Sequence, residues 1–181
     1  MTTRRLIVIS LLSLWIVACS PGGQNQEVEI KTPKEVKEEK KETPEYFDAT
    51  FKDGMVGKVF NNYLEIQASL VNSDLDDARA AASNLAESFE QERAELKSIA
   101  QKMEESENLE TFRRHFSDFT MAVEPLFTES ISGGSIYKQY CPMAFNNEGA
   151  YWFADAEEIK NPYFGEKMLR CGSTKKVISK K

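Results

Sequence analysis

The spacing of apolar residues between positions 56 and 126 constrains the fold more than any other feature. Val56, Val59, Phe60, Tyr63, Leu64, Leu70 and Val71 recur at three- and four-residue intervals, with polar Gln67 in the same stripe. That period belongs to one face of an α-helix and not to a strand. It predicts a first helix ending near Asn72. Ser73 and Asp76 then have the spacing of a capping box, the start signal of a second helix. Leu75, Ala78, Ala82, Leu85 and Phe89 form the next stripe. Leu96, Ile99 and Met103 continue it in the same heptad phase, with Glu92 as the misfit. Read as one helix, residues 74–105 would extend about 48 Å, longer than their partners. The stretch is therefore read as two helices bent near Glu90, although no Gly or Pro marks the bend. The last stripe is Leu109, Phe112, Phe116, Phe119, Val123 and Leu126. Pro125 lacks a backbone donor and is expected to kink or restart this helix, and Gly133-Gly134 to end it. Together these stripes predict a mainly α domain, an antiparallel bundle of three or four helices.

The N-terminal segment has a different character. Arg4 and Arg5 precede an apolar run over residues 6–18, followed by Cys19. The run is short for a bilayer span, which needs about 20 apolar residues, and has the form of a secretory signal. Ile16-Val17-Ala18-Cys19 resembles the cleavage site of bacterial lipoproteins, in which the peptidase cuts before a lipidated cysteine. The reading is a signal peptide over residues 1–18, with Cys19 acylated as the mature N-terminus. Residues 19–45 would then be that cysteine and a disordered linker of Glu, Lys and Thr-Pro pairs, too poor in apolar residues to offset the entropy of folding. As a flexible coil, the stretch after Cys19 would reach roughly 25–30 Å. The folded domain occupies residues 46–181.

Charge narrows the partners. The chain carries a formal −6, and removal of Arg4 and Arg5 with the signal takes it to −8. Such a surface repels nucleic acid and anionic lipid. Membrane attachment is therefore expected from acyl chains and not from a basic patch.

After the glycines, residues 136–140 alternate and are aromatic-rich, which suits a short strand. Asn146-Asn147-Glu148-Gly149 reads as a turn. Cys141 and Cys171 flank this aromatic segment, with Met143 two residues after the first and Met168 three residues before the second. Two explanations fit. In an oxidising compartment an even pair of thiols forms a disulfide, with the methionines as core filler. Alternatively, thiolate and thioether sulfur are the donors that soft Cu(I) prefers. On an extended segment Cys141 and Met143 would point to the same side, and on a helical turn Met168 and Cys171 would share a face. His115 is the only histidine and lies at the flank of the last stripe, where a partly exposed surface residue is expected. No second histidine is present for a His-type zinc site, and no motif sets His115 beside a nucleophile. The chain is read as a non-enzyme.

Tyr140-Cys141-Pro142-Met143-Ala144, Gly149-Ala150-Tyr151-Trp152, Glu158-Ile159-Lys160-Asn161-Pro162-Tyr163, Gly165 and Met168-Leu169-Arg170-Cys171-Gly172 resemble a bacterial domain of unknown function, family 3347. Tyr63-Leu64 and the helix carrying Phe112 to Phe119 resemble its helical part more loosely. The family occurs in exported proteins and at the end of some CusB-type heavy-metal efflux adaptors. The resemblance implies a helical domain with a Cys/Met end piece of short strands and turns over residues 137–173. The company it keeps implies copper or silver handling.

Two functions follow. One is a lipid-anchored protein, exported to the cell envelope at the periplasmic face of the outer membrane, that binds Cu(I) or Ag(I) through Cys141, Met143, Met168 and Cys171. It would buffer the metal or deliver it to a heavy-metal efflux system. The alternative is a structural or protein-interaction module stapled by a Cys141–Cys171 disulfide. Either needs the two sulfurs to be neighbours. Independently of that choice, Cys19→Ala is expected to leave the protein uncleaved or released from membranes, read by fractionation and mass spectrometry. Membrane-bound wild-type protein retaining residues 1–18 would contradict the lipoprotein reading.

Overall fold

The computed structural model describes residues 48–89 and 93–180. The expected signal peptide, Cys19, the expected linker, the first two residues of the expected domain, Glu90 and Glu92 lie outside that range. Four long helices are present: α1 (Gly54–Val71), α2 (Leu75–Glu87), α3 (Ala94–Glu104) and α4 (Leu109–Ser130). The stretch from 74 to 105 is thus two helices. Four strands accompany them: β1 (Thr50–Phe51), β2 (Ile131–Cys141), β3 (Ala150–Ala154) and β4 (Ser173–Lys180). The fold is mainly helical, with an antiparallel sheet built mostly from the C-terminal part of the chain. β2 is the hub of the sheet and pairs with all three other strands.

Each helix packs on the next, and α1 also meets α4. Their buried faces carry Val56, Val59, Phe60, Tyr63, Phe112, Phe116, Phe119 and Val123, all essentially inaccessible. Aromatic rings meet at the centre. Tyr63 stacks on Phe116 at 4.9 Å, and Phe127 meets Phe60 edge-on at 5.1 Å and Phe153 of β3 at 5.6 Å. Such edge and offset contacts suit the ring quadrupole.

Gln67, the polar member of the first stripe, is buried because β3 brings it partners. With its amide oriented to suit its neighbours, it accepts from Trp152 Nε1 at 3.3 Å and donates to the Phe153 carbonyl at 3.1 Å. The buried Tyr63 hydroxyl pairs with Thr120 Oγ1 at 2.8 Å and accepts from the Phe153 backbone N–H at 3.0 Å. Burial pushes this phenol well above the usual tyrosine range. One side chain of α1 thus joins α4 to β3.

Three local expectations are corrected. The N-cap of α2 is Asp74, whose carboxylate accepts from Asp77 N–H at 3.1 Å, and not Ser73. Ser73 instead takes a left-handed conformation with φ 56°. Pro125 lies inside an unbroken α4. The carbonyl deprived of a partner belongs to Met121, whose side chain is exposed, so water can satisfy it. Gly133 and Gly134 do not end the helix. α4 passes directly into β2, and the glycines admit the neighbouring chain. A Cβ on Gly133 would lie 2.7 Å from Thr50 Oγ1, and one on Gly134, where φ is +71°, would strike the Asp48 carbonyl.

Tyr63→Phe removes a hydroxyl that pairs with both Thr120 and Phe153 N–H. The expected destabilisation is about 1–3 kcal/mol, the cost of leaving a buried polar group unpaired, measured by urea unfolding. A change within experimental error would show that the bridge contributes nothing.

Candidate functional site

The antiparallel pairing of β2 and β4 sets Tyr140 opposite Ser173. Cys141 follows the first of these residues and Cys171 precedes the second by two, so the pairing returns both cysteines to one end of the sheet. Their sulfurs are 3.2 Å apart. A disulfide bond is about 2.05 Å, so this is a contact between two free thiols. Cys141 is fully buried and Cys171 half-buried. The Cys171 thiol is pushed above its ordinary value, first by its hydrogen bond with Cys141 and then by burial. Both causes favour the neutral form of the Cys171 thiol.

Residues 155–172 wrap over one side of the sheet and carry Cys171 into place. Side chains from three elements hold this loop. From β2, the buried Gln139 donates through Nε2 to the carbonyls of Ala156, Glu157 and Glu158 at 3.0, 3.1 and 3.3 Å. From α4, Arg113 donates to the carbonyls of Pro162 at 2.8 Å and Leu70 at 3.0 Å, and to Ser73 Oγ at 3.3 Å. Desolvation lowers the Arg113 pKa. From within the loop, the Tyr163 hydroxyl donates to the Tyr151 carbonyl. Gly165, with φ +58°, lies where a Cβ would come within 2.7 Å of Ser73 Oγ, so the loop touches the end of α1 through a position that only glycine suits. Arg170 pairs with Glu158 across the loop's outer side and holds that carboxyl below its usual range.

The methionines are placed unequally. Cys171 N–H donates to the Met168 carbonyl at 3.0 Å, closing a tight turn that begins in the 3₁₀ segment Gly165–Met168. Met143 departs from the expected strand geometry. The strand ends at Cys141, and Met143 has helical backbone angles, φ −92° and ψ −7°. Alternation along a strand does not apply there. Met143 is 46% exposed beside a fully buried Cys141. Behind it, Phe145, Asn146 and Asn147 all have positive φ, and the two asparagines tolerate that conformation best.

His115 is elsewhere. It is partly exposed, 3.9 Å from Asp118, and lines a hollow of about 250 Å³ at the α3–α4 corner with Lys102, Glu105 and Asn108. Among the described residues, no group of three or more His, Cys, Asp or Glu side chains is arranged to hold a metal ion. Cys19 lies outside the described residues. Sequence reasoning missed Gln139, Asn161 and Arg113, which shape the loop. Asn161 has a local signal, an Asn-Pro turn start; Gln139 and Arg113 have none.

Residues 59–133 match the model of a family described as "Protein of unknown function (DUF3347)". The matched residues run from α1 to the start of β2 and end before Cys141, so the match covers the helical part and not the Cys/Met segment. No curated protein and no solved structure matches the chain. Among the described residues no helix is long and apolar enough to cross a membrane.

In full-length protein carrying Cys19→Ala, mild oxidation is expected to remove both remaining alkylatable thiols together without forming dimers. Intact-mass measurement after alkylation checks this. Two thiols still open to alkylation after treatment would contradict the placement of Cys141 beside Cys171.

Proposed function

We propose that this chain is a non-enzymatic, lipid-anchored protein of the bacterial cell envelope that binds Cu(I) or Ag(I) at the Cys141–Cys171 pair. It buffers the ion or hands it to a heavy-metal efflux partner. The observation that carries the reading is the 3.2 Å contact between the two free thiols at the mouth of the wrapped loop. Soft monovalent ions prefer sulfur over the oxygen donors abundant on the rest of this acidic chain. When an ion binds, its charge replaces the thiol protons, and the burial that disfavours a bare thiolate then favours the neutralised pair. Met168 lies on the Cys171 turn. Met143 is an exposed, unbranched thioether two residues from Cys141, with the rotational freedom to close over the pair. In this reading the four helices are an antiparallel bundle that serves as a rigid base, and residues 19–45 hold it away from the membrane.

A second reading is favoured by the same separation. Closing 3.2 Å to a disulfide needs a movement of only about 1.2 Å. Cys141–Cys171 would then be a structural staple, and the exposed Met143 part of a protein-interaction surface.

Competition with a mild Cu(I) chelator under anaerobic conditions separates the two. Reduced protein is expected to take up Cu(I). Met143→Leu and Met168→Leu are expected to weaken binding several-fold, each changing unfolding stability by less than about 1.5 kcal/mol, as suits swaps of similar volume. Reduced wild-type protein that loses the competition outright would remove the metal reading and leave the staple.

A further inference from the structure

Asn161 makes hydrogen bonds with its backbone N–H, its carbonyl and both polar side-chain atoms, all within residues 161–171. It is fully buried. Its Nδ2 donates to the Cys171 carbonyl at 2.6 Å, and its backbone N–H donates to the Leu169 carbonyl at 2.9 Å. Its Oδ1 accepts from the N–H groups of Tyr163 at 2.8 Å and Phe164 at 3.3 Å, and its carbonyl accepts from Gly165 at 3.0 Å. One residue therefore ties the start of the loop segment to its end, at the residue that bears the second thiol. β4 begins only at Ser173, and Gly172 between them lies against Trp152 and the Tyr140 carbonyl. Apart from the turn to Met168, the Asn161 bond is the contact that fixes the Cys171 backbone.

We propose that Asn161 is the positioning residue of the cysteine pair. It holds Cys171 so that its sulfur meets that of Cys141, and so sets both the affinity for a soft monovalent metal and the ease of disulfide closure. The inference rests on Cys141 and Cys171 being the functional pair, but not on which of the two chemistries they perform. The role needs a carboxamide. Aspartate at this position keeps an acceptor for the Tyr163 N–H and loses the donor to the Cys171 carbonyl. Alanine loses both.

Two equilibria on the full-length Cys19→Ala chain test this, with Asn161→Asp and Asn161→Ala compared to the parent. In glutathione buffers, protein dithiol and glutathione disulfide exchange to protein disulfide and two glutathione molecules. Two electrons and two protons pass from the cysteines to glutathione. The closing constant, read by alkylation and mass spectrometry, is expected to fall tenfold or more in both variants, about 30 mV for a two-electron couple. Cu(I) competition is expected to weaken at least tenfold. A closing constant within twofold of the parent in both variants would overturn the proposal, even with a lowered melting temperature, because Asn161 would then be a structural residue only. If neither variant folds, the Asn161 side-chain amide resonance of the parent is compared between dithiol and glutathione-oxidised forms. A shift is expected, and an unmoved resonance would overturn the proposal. A parent that fails to bind Cu(I), together with variants whose closing constant falls, supports Asn161 and refutes the metal reading alone.

Discussion

The Tyr63 hydroxyl is the joint on which the rest of the architecture depends. It lies in the middle of α1 with no access to solvent, pairs with Thr120 of α4, and accepts the Phe153 N–H of β3. Helix packing alone is non-directional and leaves a sheet free to slide across an apolar face. A buried hydroxyl with two partners has one position that satisfies all three groups, and displacement leaves each of them unpaired. Gln67, one turn further along α1, adds a second polar contact with β3 through Trp152 and Phe153. Together they fix β3 on the helices, and β3 in turn fixes the register of β2, with Cys141 opposite Ala150.

From that register the cysteine pair follows. β2 emerges from α4 without a break, so the position of Cys141 is set by the helices. Cys171 reaches it by a different route. The chain leaves β3 and crosses the sheet, with carbonyls held by Gln139 and Arg113. It then turns at Gly165 against the end of α1 and re-enters the sheet as β4. Loop closure over this span costs entropy that grows only slowly with length, and side-chain hydrogen bonds inside the loop offset part of it. What emerges is two thiols in contact, one buried and one half-buried. A thiol is a small hydrophobe with weak hydrogen bonding, so the pair is inexpensive to bury. In the proposed function a soft cation displaces the thiol protons and makes the pair a donor set, whereas an oxidant joins the two sulfurs as a disulfide and removes them as donors.

The helices were legible from sequence because the Phe112, Phe116, Phe119 and Val123 stripe, and its partner in α1, bury one face each, and burial of one face is what a three-to-four residue period encodes. Gln67 stood out from that stripe for a reason that lies far along the chain, in Trp152 and Phe153 of β3. The cap of α2 was misplaced by one residue, since Ser73 and Asp74 are both good caps and the left-handed turn at Ser73 decides between them. Pro125 and Gly133-Gly134 misled in the same way. Each is a helix breaker by propensity, yet α4 runs through Pro125, and the glycines instead admit the chain at Thr50 and Asp48. β4 left little trace, because among its eight residues only Ile178 is buried. The meeting of Cys141 and Cys171 was anticipated from their pairing with aromatics and methionines. The placement of Met143 was not, because its local backbone is a turn and not a strand. Asn161 precedes a proline, a local turn signal, but its bond to Cys171 depends on where the loop ends.

The account stands or falls on what the sulfurs do with a soft ion. X-ray absorption at the copper edge, on anaerobically reduced protein loaded with one equivalent of Cu(I), tests this directly. The account predicts a monovalent edge and a first shell of sulfur only, at least two atoms, that disappears when Cys141 and Cys171 are both replaced by serine. A first shell of nitrogen and oxygen, or one unchanged by the double replacement, would contradict it.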